Sequence, residues 1–308
     1  GHSITYNSFD RFIERSMDSL SYNSNVFANE NSLIRSCHRR FSNRGGYELI
    51  DNCRGLSLEA SKDAIELLSA KMITPGKTNL IIDPLLGGTF VHEAFGHACE
   101  ADGILNNDSI LEGKLGTVIA PEFVNITDGG AVPGLNGSYE YDSETVKSTN
   151  TYLVKNGVLN SYIHSLETAG RMGVEPTGNG RADGTFKHPL VRMSNTFLEP
   201  GDRTVEELLE ELKNGYLFIN WKYGYTNPAD GMFMFKAEKA YKVENGQILK
   251  DQIFTESALT GNTLDVLQKI VALSKNTKTS VGTCGKNGQS VPVTDGGPYT
   301  LIKNMVVG

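Results

Sequence analysis

His92-Glu93-Ala94-Phe95-Gly96-His97 sets two imidazoles five residues apart, with a carboxylate directly after the first. This is the H-E-x-x-H zinc-peptidase pattern lengthened by one residue. The three side chains are the parts needed to hold Zn²⁺ and to take a proton from its bound water. The spacing creates a geometric problem. On a regular α-helix each residue turns about 100°, so residues four apart share a face, whereas residues five apart diverge by roughly 140°. Both histidines can meet one metal only if the helix carries a π-type bulge or unwinds near His97. π-bulges cluster at functional sites, and Gly96 is the residue expected to tolerate the distortion. The competing reading is two unrelated histidines on a buried helix.

Working outward, Asn79-Leu80-Ile81-Ile82-Asp83-Pro84 reads as a short buried strand leading into this helix, with Thr89 as an expected cap. Upstream, residues 56–72 have apolar positions at helical spacing, and Pro75-Gly76 ends that helix. Residues 9–20 are expected to form one amphipathic helix. Downstream, residues 115–260 are rich in strands and glycine. Two Asn-Gly turns, at Asn156-Gly157 and Asn245-Gly246, predict hairpins belonging to one curved sheet or barrel. Helices are expected over 202–214, with Gly215 as C-cap, and over 263–274. The fold class is α+β. Residues 1–78 form an N-terminal helical or α–β part with one long helix. Residues 79–308 form a β-rich domain with a curved sheet or barrel-like core, and the metal helix lies at the junction.

Two histidines leave a catalytic zinc one protein ligand short. The four cysteines, Cys37, Cys53, Cys99 and Cys284, show no C-x-x-C spacing, which argues against a zinc ribbon. Cys99 follows His97 by two residues and points away from any metal held there. Cys284 lies between glycines in Val281-Gly282-Thr283-Cys284-Gly285-Lys286-Asn287-Gly288, where Lys286 could favour the thiolate. A free thiol in a surface loop is the alternative.

Several separated motifs, in order, resemble the TldD/PmbA peptidases on the TldD side, from about Gly46 to Gly308. They are Asp83-Pro84; the histidine motif with Glu100 and Asp102; Pro176-Thr177-Gly178-Asn179-Gly180-Arg181; Asn195-Thr196; and Pro200-Gly201-Asp202. The series closes with Cys284-Gly285-Lys286, residues 288–293 and Gly297-Pro298. The resemblance implies one zinc per chain held by His92, His97 and Cys284, with Glu93 as the base. It also implies a peptide substrate, short or unfolded, and a homodimer or a heterodimer with a paralogous subunit that has lost the motif. Fewer residues precede the metal helix than is usual in that family, so the N-terminal region is read as shortened or atypical. Gly1-His2-Ser3, without an initiator methionine, reads as a cloning scar.

The expected chemistry is metal-activated attack of water on a peptide carbonyl, with Glu93 passing the proton to the leaving amine. Arg181 or Lys286 is a candidate for stabilising the oxyanion, against a plain salt-bridging role. Glu100 and Asp102 are candidates for orienting a ligand imidazole, against solvation of a helix end. His164 and His188 read as core or surface histidines. Two rivals remain: a non-catalytic or partner-dependent subunit of a peptidase complex, and a zinc hydrolase of non-peptide amides.

Composition narrows the classes. The 308 residues suffice for a large core, and 39 % are hydrophobic. No run approaches the ~18 apolar residues of a membrane span. A net charge of −7 without a basic cluster argues against nucleic acid. Four unpatterned cysteines suit a reducing cytoplasm.

Overall fold

The computed structural model describes residues 1–8 and 10–308. Two antiparallel hairpins open the chain: β1 (His2–Tyr6) with β2 (Phe12–Ser16), then β3 (Ser19–Glu30) with β4 (Leu33–Arg44). The helix expected over 9–20 is therefore strand from Phe12 onward, while Phe9 lies outside the described residues. In β3, Leu20, Tyr22, Val26 and Ala28 fall on the half-buried face at a spacing of two, and that period outweighs the weaker helical one. The N-terminal part is thus the α–β alternative. Helix α1 (Leu56–Glu66) stands where the long helix was expected and closes in a 3₁₀ turn at Leu67–Ser69. Its Ala60 and Ala64 pack with Cys37 of β4.

Strands β5 (Lys71–Met72) and β6 (Gly76–Ile82) follow, so the expected boundary at 78/79 falls inside a strand. The metal-helix segment comes next: α2 (Pro84–Thr89), a π turn (Phe90–Gly96), a 3₁₀ turn (His97–Cys99) and α3 (Ala101–Leu105). A long region then supplies β7 (Ile126–Gly129), β8 (Asn150–Lys155), β9 (Val158–Leu159), α4 (Leu166–Met172), β10 (Gly180–Arg181), β11 (Leu190–Val191) and β12 (Asn195–Leu198). The last third comprises α5 (Val205–Leu212), β13 (Gly215–Asn227), β14 (Met232–Glu244), β15 (Gln247–Thr255), β16 (Ala258–Asn262), α6 (Thr263–Gln268), β17 (Ile270–Lys286) and β18 (Gln289–Val307).

Two local expectations shift. The helix over 263–274 stops at Gln268, because Ile270 already pairs with Ile302 in β18. Gly215 does not cap α5. Lys213, at φ 58°, makes that reversal. Gly215 instead opens β13, where a Cβ would lie 2.2 Å from the Asn79 carbonyl. Both Asn-Gly turns occur as expected, with positive φ at Asn156, Gly157, Asn245 and Gly246.

β16 pairs with both β14 and β18 and closes the sheet on itself. The ring β6, β13, β14, β16 and β18 is a five-stranded barrel, with β12, β7, β8 and β9 continuing outward from β18 and β15 and β5 from β14. The metal-helix segment is apolar on nearly every side because it packs against this barrel. Leu86, Phe90 and Phe95 are each under 2 % exposed, and Phe90 meets Phe233 edge-on at 5.3 Å. Burying each such side chain stabilises by about 1.5–3 kcal/mol. Among the described residues, no helix is long and apolar enough to cross a membrane.

Candidate metal centre

Asp83 starts the segment. Its carboxylate accepts from Leu86 N at 2.9 Å and from Asn220 N at 3.0 Å, and Pro84 supplies a preset φ. Thr89, the expected cap, lies inside the helix and donates to the Leu85 carbonyl. The bulge demanded by the five-residue spacing is present as the π turn. His97 N–H donates to the His92 carbonyl, five residues back. A turn closed by such bonds stacks residues five apart as an α-helix stacks residues four apart. The two rings meet edge to face, with centroids 5.3 Å apart. Gly96 has another role than expected. Its backbone is ordinary helix, φ −61° and ψ −43°. What excludes a side chain is Met193, whose sulfur would lie 2.0 Å from a Cβ.

Cys284 lies on a strand, not in a loop. It pairs with Val291 in the β17–β18 ladder, three residues before a turn at Asn287-Gly288 with φ 49° and 71°. This third Asn-Gly turn was legible in the sequence as the same hairpin signal as the other two. The ladder carries the sulfur back over the metal helix, 3.5 Å from His97 Nε2. One ligand atom each from His92, His97 and Cys284 lies within 4.8 Å of the others. Tetrahedral zinc with these ligands has donor–donor edges of about 3.6 Å. Both ring nitrogens of His92 are buried without a hydrogen-bond partner. That is costly for polar atoms unless something else binds them. Donor chemistry, spacing and orphaned nitrogens all fit a divalent, thiophilic cation.

The electrostatics agree. Burial pushes the Cys284 thiol up, but the two imidazoles pull harder and hold it at about 5. Burial pulls His92 down, while the Cys284 sulfur and then Glu93 lift it to about 9. Glu93 faces His97 Nε2 from 3.6 Å. Glu100 accepts from His97 Nδ1 at 3.1 Å and from Lys286 Nζ at 2.9 Å. Burial raises its carboxyl, but His97 and Lys286 outweigh this and hold it at about 2.

The remaining expected residues separate. Glu100 touches the His97 imidazole. Asp102 meets Lys286 at 2.7 Å and accepts from the Gly103 N–H at 3.0 Å. Lys286 commits its ammonium to Glu100, Asp102 and the Val191 carbonyl, leaving no donor for an oxyanion. Arg181 donates Nη1 to the Met193 carbonyl and Nη2 to the Pro292 carbonyl and stacks on Tyr139, so it ties strands together outside the cleft. His164 is buried beside Thr168. His188 offers its carbonyl to Gln289.

A cleft of about 180 Å³ opens beside the metal cluster. Thr89, His92 and Glu93 line it together with residues 279–283 of β17 and with Arg39, Arg40 and Trp221. Asp295 of β18 lies within it, a carboxyl group that sequence reasoning missed because no motif marks it.

The sequence profile of the PmbA/TldA metallopeptidase C-terminal domain matches residues 75–308. A protein from Methanocaldococcus jannaschii named as a metalloprotease is 46 % identical over 273 residues, covering 89 % of this chain and 60 % of its own length. One from Saccharolobus solfataricus, named zinc metalloprotease TldD homolog, is 33 % identical over 311 residues, covering 100 % of this chain and 69 % of its own. A crystal structure from Thermotoga maritima, described as a candidate modulator of a DNA gyrase, superposes with a TM-score of 0.81 at 29 % identity, over 99 % of this chain and 66 % of that one. TldE from Thermococcus kodakarensis shares the fold at TM-score 0.76 and 20 % identity, over 97 % and 64 %. The chain thus spans about half to two-thirds of the length of the relatives it matches. The motif order, the bent helix with its returning cysteine and these matches place the chain in the PmbA/TldD metallopeptidase family.

Proposed function

We propose that this chain carries the catalytic centre of a zinc-dependent peptidase acting on short or unfolded peptides, with Glu93 as general base. The observation that supports this most is the convergence of His92, His97 and Cys284 within 4.8 Å beside a cleft that Glu93 lines. His92, His97 and Cys284 would hold the metal. When bound, zinc supplies a Lewis acid and lowers the pKa of the water it carries to about 7. Glu93, with its side chain 37 % exposed, is the group with access to both the cleft and the cluster. Its carboxylate accepts the proton of the attacking water and returns it to the leaving nitrogen. His97 is kept in orientation by Glu100, and Glu100 by Lys286.

For substrate, the β17 segment lining the cleft pairs with β18 on one side and, among the described residues, has no ladder on the other. An extended peptide laid along that edge would pass Glu93, which suits recognition through the main chain. Four free cysteines suit a reducing cytoplasm. A partner-dependent reading has one observation in its favour. Residues 38–40 of the N-terminal hairpin help line the cleft, so its wall depends on parts outside the metallopeptidase domain. Glu93→Ala should keep its metal and lose peptide cleavage by at least 10²-fold. Zinc bound by the wild type without turnover, restored by a paralogous subunit, would favour the partner-dependent reading.

A further inference from the structure

We propose that Asp295 is a positioning residue that holds the second ring nitrogen of His92, as Glu100 holds that of His97. The inference rests on the metal reading above. A histidine that ligates a metal through one nitrogen nearly always donates its other N–H to a carboxylate, a carbonyl or water. His97 meets this requirement through Glu100. His92 does not: both of its ring nitrogens are buried and unpartnered. Asp295 is its counterpart, a carboxylate 7 % exposed whose Oδ1 is also buried without a partner. No salt bridge to Asp295 is formed among the described residues. An orphaned imidazole and an orphaned carboxylate thus share one cleft.

The backbone places them together. Asp295 pairs with Ser280 in the ladder, on the same face as Cys284 and Val291, four residue pairs farther along β18. Its Oδ1 comes to 2.6 Å from where a Cβ on Gly88 would be. Gly88 stands four residues before His92 on the same helix. Helical side chains lean toward the N-terminus and cover the preceding turn. The His92 ring therefore leans over the space that Gly88 leaves open and Asp295 occupies. The hydrogen bond forms when one ring nitrogen has turned to the metal and the other faces this carboxyl group.

Two variants test this, Asp295→Asn and Asp295→Ala. Zn²⁺ and Co²⁺ affinities are measured by chelator competition, with urea unfolding of the metal-free proteins alongside. Both variants are expected to bind metal 10–100-fold more weakly, while the metal-free proteins stay at least as stable as wild type, since an unpaired buried carboxylate is lost. A structural role would lower that stability instead. In the metal-loaded wild type the His92 ring N–H should give a slowly exchanging low-field proton signal that Asp295→Ala abolishes while the His97 signal persists. Unchanged affinity in both variants, or an unchanged His92 signal, overturns the inference. Failure of the wild type to bind either metal overturns the metal reading itself and is seen separately.

Discussion

Gly96→Ala separates two explanations of the metal helix by the sign of its effect. If Gly96 served as a flexible point in a distorted turn, its backbone would need glycine. At φ −61° and ψ −43° it does not. Alanine in that conformation should then stabilise by about 0.5–1 kcal/mol, the usual helix preference over glycine. The packing argues the reverse. The new methyl would lie 2.0 Å from Met193 Sδ and 3.2 Å from both Met193 Cε and the Val91 carbonyl. Met193 is fully buried, and Arg181 holds its carbonyl. Forcing a methyl into so tight a site typically costs 1–3 kcal/mol. Set against the helix gain, a net loss of about 1–2 kcal/mol is expected by urea unfolding of the metal-free protein. Met193→Ala should cost about 2–5 kcal/mol alone through its cavity. In that background Gly96→Ala should become neutral or stabilising, a coupling that a double-mutant cycle isolates. If Gly96→Ala stabilises the wild-type background, or if Met193→Ala leaves its cost unchanged, close packing is not why glycine stands here.

Metal affinity should depend steeply on pH. With His92 lifted to about 9 and His97 raised as well, the metal must displace a proton from each ring, while Cys284, held at about 5, is already a thiolate at neutral pH. Apparent log affinity should therefore rise with pH, by up to about two per unit between pH 6 and 8. A slope below one, measured by chelator competition, would show neutral imidazoles in the free site. Asp83→Ala should destabilise by about 2–3 kcal/mol, because Leu86 N and Asn220 N lose their acceptor. Asp83→Asn carries the pH test. Burial lifts the carboxyl from 3.8 to about 6, so its contribution to stability is greatest below pH 4 and declines as pH rises through 6. The stability of wild type relative to the Asn variant should fall by up to about 3 kcal/mol between pH 4 and 8, and a flat difference in urea titrations would refute the assignment.

Much of the centre was legible because its logic is local. A five-residue histidine spacing and a single metal cannot coexist on a regular helix, so counting residues called for a π-type bulge or an unwinding near His97, and the fold has the π turn. The Asn-Gly hairpins at 156–157 and 245–246 were equally readable, since only a left-handed pair of residues makes that turn. The third at 287–288 was overlooked although it carries the same signal. The N-terminal misreading has a different cause. Residues 12–30 pair within their own hairpins and rest one face on the protein, so a modest preference for helix lost to ladder bonds formed across the chain.

Residue types and spacing alone singled out the two histidines and showed that a helix presenting both to one metal had to be distorted, while Cys284 as their companion came from the family resemblance. Tertiary structure decided where Cys284 arrives, that Glu100 stands behind His97, and that Lys286 and Arg181 are already engaged. Those outcomes depend on the register of the β17–β18 ladder and on the barrel against which the helix packs. Register couples residues nearly two hundred positions apart, and no local pattern in a single chain encodes such a distance.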